Sequence, residues 1–126
     1  MKIYLPLFIL LLACTPGKET ERDRFFLLGN EALSEQEYDL AISYYTKSIR
    51  VDQEFSRAYN NRGVAKVEDG KPHEAILDYN MAIDLDSSNY DARFNRAYAL
   101  EEVGRVEDAF KDIQSLELVY GDSSYI

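Results

Sequence analysis

Residues 56–89 read SRAYNNRGVAKVEDGKPHEAILDYNMAIDLDSSN, one complete helix-turn-helix unit with Gly63, Ala75, Tyr79 and Ala82 as its small and aromatic landmarks. Both neighbouring stretches can be laid against it. Gly29, Gly63 and Ala97 follow one another at intervals of 34 residues, as do Ala41, Ala75 and Ala109. Tyr45, Tyr79 and Ile113 repeat the interval, and so do Ser48, Ala82 and Leu116. A period of that length, held at four positions, marks a stacked array of helical pairs. The expected fold is therefore all-α: an α-solenoid of three helix-turn-helix units and six helices.

Each unit is expected to hold a first helix (about 22–35, 56–69 and 90–103) and a second (about 38–51, 72–85 and 106–119). Gly70 closes one helix and Pro72 opens the next, where its missing N–H does no harm. Gly104 repeats the closure in the third unit, and Gln36 stands in the same place in the first. Asp86-Ser87-Ser88-Asn89 is a loop of capping residues leading into Tyr90.

This pattern resembles the tetratricopeptide repeat, with units at 22–55, 56–89 and 90–123 and a tail at 124–126. The proline usual near the end of each repeat is replaced by Gln53 and Ser87. The resemblance implies that small residues sit where the two helices of a unit approach, and that the first helices line a concave groove that binds protein. The groove residues it implies are Phe26 and Asn30, then Arg57, Asn60, Asn61 and Val64, then Asp91, Phe94, Asn95 and Tyr98. Asn30, Asn61 and Asn95 form a ladder of amides able to donate to and accept from a peptide backbone. Phe26, Phe94 and Tyr98 add aromatic surface. A subclass of the family grips the C-terminal carboxylate of chaperone tails with lysines and asparagines. Asn30 and Asn61 occupy two of those positions, but Phe26 and Asp91 stand where lysines are needed, which argues against carboxylate capture.

Comparison of the repeats with one another singles out four further residues. Leu28 and Tyr44 of the first unit become Arg62 and Asp78 in the second, and Arg96 and Asp112 in the third. A buried charge left unpaired costs several kcal/mol, so a joint change predicts ion pairs linking the two helices of a unit. The alternative is that Arg62 and Arg96 serve as ligand-gripping cations in the groove.

The beginning of the chain reads as an address. Met1-Lys2 precedes an apolar run, Ile3 to Leu12, about half the length needed to cross a hydrocarbon layer. It ends at Leu11-Leu12-Ala13-Cys14, which resembles the lipobox of bacterial lipoproteins. The resemblance implies removal of residues 1–13, lipidation of Cys14, and a palmitate-type anchor in a membrane of the cell envelope. Cys14 is the only cysteine, so it has no intramolecular disulfide partner. Residues 14–21 read as a flexible tether to the domain at 22–123. Thr15, rather than an aspartate, follows the cysteine, which favours the periplasmic face of an outer membrane where there are two.

A net charge of −9 over 126 residues disfavours nucleic acid. His73, beside Pro72, is the single histidine and reads as a solvated turn residue. With no converging nucleophile, base or carboxylate pair, the chain is not expected to be an enzyme, and neither a cofactor nor a metal is expected. The expected function is an anchored adaptor for a protein or peptide partner. The alternative is a structural lipoprotein that self-assembles into a homo-oligomer through an uncapped third repeat exposing Ile113, Leu116 and Val119.

Overall fold

The structure is a computed structural model that describes residues 17–121. Six helices follow in chain order: α1 (Lys18–Ser34), α2 (Tyr38–Val51), α3 (Ser56–Glu68), α4 (Pro72–Leu85), α5 (Tyr90–Glu102) and α6 (Val106–Tyr120). Cys14, the lipobox and the tail lie outside the described residues. No helix among the described residues is long and apolar enough to cross a membrane.

The two kinds of turn are built differently. Within each unit the first helix ends in a left-handed residue: Gln36 (φ 62°), Gly70 (φ 75°) and Gly104 (φ 82°). The next N–H then folds back to a carbonyl five residues earlier, as Lys71 does to Lys66 at 2.8 Å. That closure satisfies helix-end carbonyls and needs φ > 0. Between units, Asp52 and Asp86 accept backbone N–H bonds from Glu54 and Ser88, and Asn89 caps α5 by accepting from Ala92 at 3.1 Å.

Packing inside a unit rests on one close approach. Tyr45 and Tyr79 are fully buried, and their rings lie against Gly29 and Gly63. A Cβ on either glycine would fall 2.6 Å from a ring carbon, inside any van der Waals contact. The third unit solves the same contact with Ala97 and the smaller Ile113.

One boundary differs from the sequence reading. α1 starts at Lys18, so four residues of the expected tether are helical. Glu19 and Glu21 suit the positive end of the helix dipole. Lys18 and Arg22 both reach Asp52 at the end of α2, at 3.6 and 2.9 Å, which ties the added turn down. Arg22 also donates to Asp23 and lies 4.3 Å from the Phe55 ring centroid. These bonds hold the Asp52 carboxyl below its usual range.

Each helix packs on its sequence neighbours, and α1·α3 and α3·α5 also touch, whereas α2·α4 and α4·α6 do not. The first helices of the units therefore crowd while the second helices splay. That difference curves the array with α1, α3 and α5 on its inner side. The buried apolar residues run from Phe26 to Leu116, wholly within the six helices.

Candidate functional site

The inner face carries a continuous run of side-chain amides. Asn95 Nδ2 donates to Asn60 Oδ1 at 3.0 Å, Asn60 to Asn61 at 3.1 Å, and Asn61 to Asn30 at 2.9 Å. The Tyr45 hydroxyl closes the row by donating to the same Asn30 oxygen at 2.8 Å. Burial pushes that phenol up to about 12, opposed by the neighbouring Asn61 amide. α1, α3 and α5 each supply part of the row, so it spans all three units. The Asn30 oxygen takes two bonds, from Asn61 and Tyr45, and the oxygens of Asn60 and Asn61 take one each, from Asn95 and Asn60, so the row keeps unengaged N–H groups together with acceptor lone pairs, those of Asn95 among them.

The remaining groove positions separate into covered and open. Phe26, expected as ligand surface, is 5% exposed: it packs against Tyr45 and Phe55, with ring centroids 5.8 and 5.1 Å away. Arg57 covers it, its guanidinium 4.9 Å from the ring centroid. The reason is positional, since α3 lies over the α1–α2 unit and uses Phe26 as part of its seat. Asn60 is buried, and Val64 is half-buried against the second cluster. Phe94 (61% exposed), Tyr98 and Asp91 stand open on α5, and Leu27, a further groove position by the family pattern, is as open on α1.

Arg62 grips Asp78 through two bonds of 2.7 and 2.9 Å, and Arg96 grips Asp112 through two of 2.6 and 2.7 Å. All four side chains are largely buried. Each arginine also reaches back to the preceding unit, Arg62 to Thr46 at 3.1 Å and Arg96 to Asn80 at 2.9 Å. One guanidinium therefore ties three helices together. Lys66 adds a third charge at 2.9 Å from Asp78. The signal for these partners was present in the sequence: Thr46 and Asn80 are in register 34 apart, and both are polar. The bonds to Asp112 raise the Arg96 pKa above its ordinary value, against the opposing effect of burial.

At the far end, the exposed stripe differs from the expected one. Leu116 is buried and Ile113 half-buried, because α5 covers them; of the three expected residues only Val119 is open. The open apolar residues of α6 include instead Val106, Phe110, Leu118 and Tyr120. Among the described residues no group of His, Cys, Asp and Glu is arranged to hold a metal.

Curved stacking of helical pairs, with a polar row along the inner face, defines an α-solenoid of the kind that presents a concave surface to another chain. The tetratricopeptide repeat family profile matches residues 26–89 and again 64–118. The chain belongs to the tetratricopeptide repeat family. Among curated proteins it is similar to protein unc-45 homolog B of Xenopus tropicalis, 34% identical over 89 residues, 68% of this chain and 10% of that protein. It is also similar to sperm-associated antigen 1 of Mus musculus, 30% identical over 110 residues, 82% of this chain and 12% of that one. The chain thus spans about a tenth of the length of these relatives. Among solved structures it resembles the second TPR of Spaghetti (RPAP3) bound to the HSP90 peptide SRMEEVD, with TM-score 0.77, 29% identity, and 79% and 93% of the two chains covered. The second TPR domain of human RPAP3 in complex with the HSP70 peptide SGPTIEEVD gives TM-score 0.80 at 28% identity, covering 86% and 90%.

Proposed function

We propose that this chain is a lipid-anchored adaptor of a bacterial cell envelope that holds a segment of another protein in its concave groove. The observation that carries the reading is the amide row from Asn95 to Asn30, which crosses all three units on the inner face with open Leu27, Phe94 and Tyr98 on the same helices. Spare N–H groups suit the carbonyls of a peptide backbone, and the open aromatics suit apolar side chains. Similarity to peptide-bound domains supports the mode of binding. The ligand chemistry differs from theirs. Their peptides end in Glu-Glu-Val-Asp, whereas here the two lysine positions of a carboxylate clamp hold a buried Phe26 and an exposed, acidic Asp91. An acidic tail would be repelled there; an apolar, carbonyl-rich segment, extended or helical, would not. Lipidation at Cys14, and placement at the periplasmic face of an outer membrane where there are two, rest on the lipobox resemblance.

The test is affinity capture from native envelope extract with residues 15–126 as bait, run beside an Asn61→Ala/Asn95→Ala double variant whose helicity is checked. A partner retained by the wild type and lost by the folded variant supports the groove. The same partner on both baits would overturn it.

A further inference from the structure

The internal repeats show what a following helix does to the face it lands on. α3 seats on α1–α2: Arg57 stacks on Phe26, Arg62 donates to Thr46, and Phe26 is left 5% exposed. α5 seats on α3–α4 with Arg96 donating to Asn80 and Ile76 left 5% exposed, although Asp91 and Asn60 stand there in the places of Arg57 and Phe26. In the same register the third unit presents Phe94 for Phe26, Gln114 for Thr46 and Asn80, and Phe110 for Ile76. Among the described residues no helix covers them, and Phe94 and Phe110 are 61% and 59% exposed. Two adjoining grooves of 380 and 270 Å³ run between α5 and α6, sharing Phe94 and Ile113. Their charged lining is Asp91, Glu101 and Glu117, without a lysine or arginine.

We infer that the α5–α6 face is a second docking surface, meeting the amide-lined groove at Phe94, and that it receives a cationic amphipathic helix seated as α3 is seated on α1–α2. The third face repeats the receiving residues of the first: an aromatic ring for one guanidinium, Phe94, and a side-chain oxygen for another, Gln114. The helix that fills the first face is itself cationic, carrying Arg57, Arg62 and Lys66 against Glu68. Acids lining an otherwise apolar groove attract and orient such a helix. A second copy of this chain does not fit. On α1 the register positions of Ala58, Ala65, Ala92 and Ala99, all fully buried where α3 and α5 dock, are held by exposed Arg24 and Glu31. Two α5–α6 faces brought together would set acid against acid.

The probe is a fluorescein-labelled, hydrocarbon-stapled peptide with the sequence of Ser56–Glu68, titrated into residues 15–126 and followed by anisotropy. That portion contains every helix and both buried clusters. Saturable one-to-one binding is expected, with Kd on the order of 10 μM. Phe110→Glu, a substitution at an exposed position, weakens it by about tenfold or more. Arg57→Ala in the peptide weakens it severalfold, and Leu77→Glu on the opposite side of α4 leaves it unchanged. No saturation by about 1 mM, or equal binding to the Phe110→Glu chain, overturns the proposal. Sedimentation run in parallel decides the occupant: self-association abolished by Phe110→Glu and not competed by the peptide would assign the face to a second copy instead. None of these readouts involves the groove partner, and Phe110 lies outside the amide row, so the titration tests this surface whether or not the groove holds a ligand.

Discussion

Gly63→Ala tests the contact on which each unit closes. The added Cβ would lie 2.6 Å from Tyr79 Cε1 and 2.9 Å from both Cδ1 and Cζ. Carbon atoms prefer about 3.5–4.0 Å, so the ring has to retreat by about 1 Å. It has nowhere to go, being fully buried among Ala75, Ile76, Ala97 and their neighbours. Overpacking of this kind costs about 1–3 kcal/mol. Replacing a mid-helix glycine by alanine returns about 1 kcal/mol in helix propensity, leaving a net loss of up to about 2 kcal/mol. Tyr79→Ile alone leaves a void and costs about 2–3 kcal/mol. Together the two substitutions reproduce the Ala97–Ile113 contact of the third unit, so the double variant should be more stable than the sum of the singles by about 1–2 kcal/mol. Urea denaturation of the four proteins, followed by far-UV circular dichroism, measures that coupling. Additivity to within about 0.5 kcal/mol, or a Gly63→Ala midpoint above wild type, would refute the steric reasoning.

Three further outcomes are expected. Gln36→Gly relieves a left-handed glutamine and should raise stability by about 0.5–1 kcal/mol, read as a Tm a few degrees higher; Gly70→Ala should lower it by a similar amount. Asp78→Ala strands Arg62 and Lys66 and should cost about 3–5 kcal/mol, whereas Arg62→Leu/Lys66→Ala/Asp78→Tyr, which installs the first unit's residues, should cost far less in the same denaturation assay. Asp52 has its pKa lowered in the folded state by the Arg22 hydrogen bond, so its contribution is present above the unfolded carboxylate's pKa, near 4, and fades as pH falls through the lower folded value. The Tm gap between wild type and Asp52→Asn should therefore be open at pH 7 and close in acid; a gap that is constant with pH would remove the ion pair from the account.

How far the sequence can be read depends on how local each cause is. The 34-residue period reflects a contact made inside every unit, so three copies of the small residue and its aromatic or aliphatic partner expose it directly. Gln36 was readable as a turn because its two counterparts are glycine. The joint change of Leu28 and Tyr44 to Arg62 and Asp78 pointed to a shared contact, since both members lie in one unit. What stayed hidden depends on a neighbouring unit. Phe26 occupies a groove position in its own helix, and only the arrival of Arg57 and Phe55 buries it. Which of Phe110, Ile113 and Leu116 is open depends on α5 and on the absence of a covering helix among the described residues. The amide row needs four side chains from three helices to point at one another, and spacing carries no signal for their orientation. The early start of α1 was missed because Gly17 supplies no side-chain cap; the turn is held from a distance by Asp52.

The amide row also bears on the conditions under which the groove can work. A clamp that grips its ligand through lysines weakens as ionic strength rises, because mobile ions compete for the same field. Neutral N–H donors at contact distance are not screened in that way. A surface recognising its ligand through Asn30, Asn61 and Asn95 would keep its grip from dilute buffer to brine, and protonation of nearby carboxylates would hardly alter it. On an acidic protein, such insensitivity would make recognition depend on the shape and carbonyl pattern of the ligand and little on the medium.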